Sequence, residues 1–173
     1  YPHNASKQKA IAACERSLKR LKTDYLDVYL LHWRGSVPLA ETLEAFETLQ
    51  QSGKIRSYGV SNFDIEDMQE VSQLKGGKGI VTNQVLYNLM RRGIEWNLLP
   101  WCRQQNIPIM AYSPIEQGRL LNNKTIKAIA QQRGVTAAQV AIAWLLHQEN
   151  IIVIPKSSRI DHVEQNYAAK DLK

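Results

Sequence analysis

Leu26-Asp27-Val28-Tyr29-Leu30-Leu31-His32-Trp33 reads as a buried strand, Leu26 to Leu31, that stops on a polar side chain. Further runs of the same kind are Ser57 to Val60, Ile80 to Gln84, Ile107 to Tyr112 and Ile151 to Ile154. Several are apolar without alternation, the pattern of strands covered on both faces. Polar residues stand at or just past each carboxyl end: His32, Ser61 with Asn62, Gln84, Tyr112 and Lys156. Packing alone does not ask for that. Parallel strands of this kind fit an open doubly wound sheet or part of an eight-stranded barrel. The open sheet puts a glycine-rich turn after its first strand, and Leu31-His32-Trp33 offers none. A barrel, by contrast, needs polar groups where its strands end. The expectation is an α/β chain, a partial (β/α)8 TIM-barrel domain over residues 1–173 covering about five of the eight βα units.

Helices with readable ends separate these runs. Ser6 is placed to cap a helix reaching Leu21, with Ile11, Cys14, Leu18 and Leu21 on its inner face. Pro38 suits a first helical turn, Leu39, Leu43, Phe46 and Leu49 continue one stripe, and Gly53 stops it. Asp64 starts a short helix through Val71, and Thr136 with Gln139 spells a capping box. This helix–strand rhythm implies parallel strands with right-handed crossovers. Gly76, Gly77 and Gly79 precede a strand and do not open a helix, so they are not a phosphate loop.

Composition narrows the class. The 44% hydrophobic and 22% charged content is that of a soluble globular protein, and no apolar run is long enough to span a membrane. Cys14 and Cys102 lie far apart without metal-ligand spacing and read as reduced thiols of a cytoplasmic protein, with no metal site. The net charge of +6 gathers largely on one helix (Lys7, Lys9, Arg16, Lys19, Arg20, Lys22), a solvated face and not a nucleic-acid stripe. The chain opens on Tyr1-Pro2-His3-Asn4, which reads as a loop continuing something earlier, so a fragment is expected.

Each polar strand end has two readings. His32 is a structural histidine, or a neutral imidazole that donates to a substrate carbonyl oxygen. Trp33 is core, or a flat wall for a small substrate. Ser61 and Asn62 form a strand-to-helix turn with Asn62 and Asp64 as caps, or fix a planar carboxamide together with Gln84. Tyr112 packs in the core, or offers its ring to an aromatic heterocycle. Lys156, Ser157 and Ser158 make a surface turn, or a phosphate site where a helix begins.

Taken together, five strings resemble the aldo-keto reductases: Asp24 through Trp33, Gly53-Lys54-Ile55-Arg56 leading to Gly59-Val60-Ser61-Asn62-Phe63, Asn83-Gln84-Val85, Ala111-Tyr112-Ser113-Pro114, and Ile154-Pro155-Lys156-Ser157. The resemblance runs over essentially the whole chain and implies that these are barrel strands four to eight. It implies an NADP-dependent enzyme, with NAD possible, that reduces a small aldehyde or ketone by hydride transfer. The flavour is that of the bacterial branch acting on methylglyoxal. Of the family's aspartate, tyrosine, lysine and histidine, only the histidine, His32, has a counterpart here, so the isolated chain is expected to be inactive. Carried over by motif, Ser61, Asn62 and Gln84 would hold the carboxamide and Tyr112, followed by Ser113, would stack on the nicotinamide. Lys156 and Ser157 would meet the 2′-phosphate, with His162, Gln165 and Asn166 beyond them. The family's usual arginine is absent where His162 stands, and its frequent glutamate where Gln165 stands. A histidine cannot make the arginine's two-pronged contact. Two other readings stand beside this one: a cofactor-binding sensor subunit of the potassium-channel type, and an unrelated open-sheet nucleotide or phosphate binder. A small carbonyl substrate is expected, with no nucleic-acid or membrane partner; the oligomeric state is not legible.

Overall fold

A computed structural model describes residues 1–173. In chain order the regular elements are α1 (Lys7–Leu21), β1 (Leu26–Leu31), α2 (Leu39–Gln51), β2 (Ile55–Ser61), α3 (Ile65–Gln73), β3 (Ile80–Leu86), α4 (Leu98–Gln104), β4 (Ile109–Tyr112), α5 (Lys124–Arg133), α6 (Ala137–Leu146), β5 (Ile151–Val153) and α7 (Ile160–Ala168). The strands follow one another in one sheet as β1-β2-β3-β4-β5. The chain divides into two compact units, Tyr1–Gln84 and Val85–Lys173.

In the first unit, β1 pairs in parallel with β2 from Leu26↔Ile55 to Leu31↔Val60, and β2 with β3 to Ser61↔Gln84. That register sets Ser61, at the end of β2, beside Gln84, which does not end its strand as expected because β3 runs on to Leu86. The register requires Gly59, because a Cβ there would sit 2.5 Å from the Thr82 carbonyl oxygen. The stripe of α2 is as expected, with Leu39, Leu43, Phe46 and Leu49 all buried. The inner face of α1 differs. It runs Ala10, Cys14, Leu18, while Leu21 is 63% exposed, because the last turn leads into a left-handed Lys22 and away from the core. Ser6 holds the N-cap position, but its hydroxyl makes no cap bond. The opening segment is not a plain loop, since Pro2–Asn4 wind into a short 3₁₀ turn.

In the second unit, β4 pairs in parallel with β5 from Ile109↔Ile151 to Ala111↔Val153. The strand starts at Ile109, not Ile107, since Pro108 has no N–H to give to the ladder. The Thr136–Gln139 capping box is present with both reciprocal bonds. Asn97 and Asn123 cap α4 and α5 through their side-chain oxygens.

The expectation that strands are covered on both faces needs correcting. Tyr58, Val60, Ile109 and Ala111 are buried, but Val28, Val81, Ile152 and Ile154 are exposed. Both rows of β2 are buried from Tyr58 to Ser61, as expected, whereas in β4 and β5 burial alternates along the strand, so one row is covered and the other left more open.

Candidate functional site

The carboxyl ends of β1 and β2 and Gln84, two residues short of the end of β3, form a hydrogen-bonded cluster within the first unit. Asn62 follows β2 with φ 57°, a left-handed turn that asparagine tolerates better than most side chains. Its Nδ2 donates to the His32 carbonyl (2.9 Å) and to Ser61 Oγ (3.2 Å). Its backbone N–H donates to the Gln84 carbonyl (2.9 Å), which also accepts from Ser61 Oγ (2.7 Å). Asn62 is therefore a turn residue and not a helix cap; Asp64 is the cap of α3, accepting from the Asp67 N–H.

Sequence reasoning stressed Gln84 and passed over its neighbour. Asn83 is fully buried, donates to the Phe63 carbonyl (2.9 Å) and accepts from the Phe63 N–H (3.5 Å). It grips the chain one residue past Asn62, and so fixes where Ser61 and Asn62 stand. A buried amide in a strand, bound to need partners, was the available signal.

His32 and Trp33 sit in the loop after β1. Trp33 is 41% exposed, which rules out the core alternative. The His32 ring lies edge-on to Trp33 (centroids 4.7 Å) and 4.9 Å from Tyr1. Next along the chain, Arg34 reaches α3 with bonds to Asp67 Oδ1 (2.6 Å), Glu70 Oε2 (2.6 Å) and Glu70 Oε1 (2.9 Å). The Arg34 guanidinium holds the Glu70 carboxyl below its ordinary range. This tether was also missed; Asp67 and Glu70, one turn apart on α3, were its signal.

The second unit carries the remaining expected residues. Lys156, Ser157, His162, Gln165 and Asn166 line one cavity of about 250 Å³, together with Ile115, Leu121, Thr136, Ala137 and Ala138. No acidic side chain is among these walls. Nor are Tyr112 and Ser113, which close β4 instead. Ser157 Oγ accepts from the Arg159 N–H (3.1 Å) and shapes the turn into α7. Asp161 lies 4.0 Å from His162 but is engaged by Arg159, whose guanidinium holds its carboxyl below the usual range. The cavity thus combines an ammonium, a hydroxyl, an imidazole and amides with a small apolar wall. That donor set suits a phosphorylated adenosine.

One further group was not anticipated. Glu116 is 3% exposed and accepts from Asn88, Arg91 and Arg119. Cys14 and Cys102 are free and buried, and burial pushes the Cys102 thiol up to about 12. Both are packed in surroundings that favour the neutral thiol. No helix is long and apolar enough to cross a membrane.

Comparison with known proteins adds to this geometry. Residues 1–173 match the sequence profile of the Aldo/keto reductase family. Methylglyoxal reductase YeaE of Escherichia coli K12 is 54% identical over 177 residues, 99% of this chain and 62% of that protein. Glyoxal reductase of Bacillus subtilis is 39% identical over 156 residues, 90% of this chain and 55% of that protein. An aldo-keto reductase from Klebsiella pneumoniae, crystallised in complex with NADPH, matches with a TM-score of 0.97 at 51% identity, over 99% of this chain and 62% of that one. The chain spans less than two thirds of the length of these relatives. The parallel strands in chain order and this structural match bear out the expected partial (β/α)8 barrel of about five βα units.

Proposed function

The chain belongs to the aldo-keto reductase family, and from that premise we propose that it binds NADP(H), in preference to NAD(H), for the reduction of a small aldehyde or 2-oxoaldehyde. The observation that carries this reading is the acid-free cavity lined by Lys156, Ser157, His162 and Asn166. An anionic 2′-phosphate gains there from the ammonium and the hydroxyl and meets no carboxylate on the walls. The apolar side chains Ile115, Leu121, Ala137 and Ala138 give the adenine a dry surface.

The nicotinamide end is assigned to the strand ends. Ser61, Asn62 and Gln84 hold the carboxamide, and the Tyr112 ring face takes the pyridine. When bound, the reduced nicotinamide supplies a hydride. His32 donates a hydrogen bond to the substrate carbonyl oxygen and steadies the charge that grows on it. Trp33 walls the substrate. The family's aspartate, tyrosine and lysine have no counterpart among the matched positions, so these residues bind and orient but do not deliver the proton that completes the alcohol.

Replacing Lys156 by alanine tests the phosphate assignment. Removal of one charge-assisted contact weakens NADPH about tenfold and leaves NADH within about twofold. Isothermal titration with both cofactors reads the difference. Equal weakening of the two, or no weakening of NADPH, would remove the 2′-phosphate from this cavity.

A further inference from the structure

We propose that Glu116 is a positioning residue whose bridge between Asn88, Arg91 and Arg119 fixes the Ser113–Asn122 loop as one wall of the Lys156 cavity, and thereby sets how tightly an adenosine phosphate is held. The proposal rests on the cavity being an adenosine-phosphate site, and it adds a residue that does not line the cavity at all.

The loop is in a conformation it would not keep unaided. Ser113, Glu116 and Gln117 have φ of 50°, 49° and 54°, and Gly118 has 90°. Left-handed backbone at non-glycine residues is sparsely populated and persists only where the surroundings over-determine it. Glu116 supplies that determination. Its Oε1 accepts from Arg91 Nε (3.0 Å), Arg91 Nη2 (3.0 Å) and Arg119 Nη2 (3.3 Å). Its Oε2 accepts from Asn88 Nδ2 (2.7 Å). The same Nδ2 donates to the Ser113 carbonyl (2.9 Å), and Asn88 Oδ1 accepts from the Met90 N–H (2.9 Å). One buried carboxylate and one buried amide therefore tie the turn after β3, the end of β4 and the following loop together. Asn88 and Arg91 hold the carboxyl below the ordinary glutamate range, so it is ionised at neutral pH.

The tether reaches the cavity through its immediate neighbours. Ile115, next to Glu116, is a wall of the cavity, as is Leu121. Leu120, next to Leu121, is buried in a small core with Ile126 and Ala141, against which Ile115 and Ala137 pack. Ala137 is itself a cavity wall. Releasing the carboxylate frees the loop to relax from its left-handed turns, and the apolar wall moves with it.

Glu116→Gln is close to isosteric, yet it puts an NH₂ donor against the Asn88 amide or the guanidinium groups, and one contact must break. Two ligands are titrated into the full chain at a temperature where circular dichroism shows it folded: adenosine 2′,5′-bisphosphate, which carries only the adenosine end, and NADPH. Glu116→Gln is expected to weaken both about tenfold, mainly through faster dissociation measured by stopped flow. Arg119→Ala, which removes one longer contact, shifts both about twofold to threefold in the same direction. A purely structural role would lower the melting temperature and leave the affinity of the folded protein unchanged. A folded Glu116→Gln chain that keeps both dissociation constants within twofold overturns the proposal. Should that variant fail to fold, the Arg91→Ala/Arg119→Ala double variant decides in the same way: weakened adenosine binding supports the proposal and retained binding overturns it. An unsubstituted chain that binds neither ligand overturns the cavity assignment first, and this proposal with it.

Discussion

Supplied with NADPH and methylglyoxal, the 173-residue chain is expected to turn over about 10²–10⁴-fold more slowly than full-length members of the family. Hydride delivery to a carbonyl carbon leaves charge on the oxygen, which a general acid must quench in the transition state. In the proposed site His32 hydrogen-bonds that oxygen, while the family's aspartate, tyrosine and lysine have no counterpart among the matched positions. Tyr1 is the tyrosine beside His32, with ring centroids 4.9 Å apart. It does not match the family's donor by motif, and its ring stacks with His3 and stands edge-on to Trp33. The check is loss of NADPH absorbance under saturating cofactor. A rate near that of ordinary family members would mean that these residues include a proton donor after all, and Tyr1→Phe would be the first substitution to locate it. Tight cofactor binding without turnover is also what a sensor subunit would show.

Asn62→Gly is expected to weaken NADPH about a hundredfold while shifting the melting temperature by no more than about 4 °C. Asn62 does two things that this substitution separates. Its backbone makes the left-handed turn at φ 57°, which glycine adopts without cost. Its amide bridges the His32 carbonyl and Ser61 Oγ, and in the proposed site it also meets the carboxamide. Glycine keeps the turn and deletes the amide. The Asn62 backbone N–H still donates to the Gln84 carbonyl, so the strand ends stay joined. A dissociation constant unchanged from the unsubstituted chain would reduce Asn62 to the bland alternative, a residue chosen only for its turn. Asn62→Ala is the useful companion. It also removes the amide but strains the backbone, so any loss of stability beyond that of the glycine variant reports the φ strain net of alanine's smaller unfolded-state entropy.

The architecture was legible in this chain because the strand-end residues differ chemically from the strands they close. Apolar runs gave all the strands, and their polar termini pointed to the face on which chemistry happens. Boundaries moved by one or two residues at several ends: β2 runs Ile55–Ser61 and not Ser57 to Val60, β3 reaches Leu86 and not Gln84, β5 stops at Val153, and β4 starts after Pro108. The helix stripes read well for α2, where the apolar repeat is strong, and less well for α1, where Leu21 follows the repeat but falls on the exposed last turn. The residues that hold the site were much harder to see. Asn83, Asn88 and Glu116 are buried polar groups, and nothing in their spacing distinguishes them from exposed ones. Their role depends on contacts made at separations of 20 to 28 residues, as in Asn83 with Phe63 and Asn88 with Glu116. Periodicity carries no information at that range. Resemblance helped with the groups proposed to touch a cofactor and was silent on those that position them.

The central claim is that Ser61, Asn62 and Gln84 take the nicotinamide end of a dinucleotide and Lys156, Ser157 and His162 its phosphorylated adenosine end. Titrating NADPH into the isotopically labelled chain and following the amide resonances of these residues tests it most directly. Both groups should shift along saturating curves with one dissociation constant, and adenosine 2′,5′-bisphosphate should move only the second group. Shifts confined to surface residues elsewhere, or no saturable shift at either group, would contradict it.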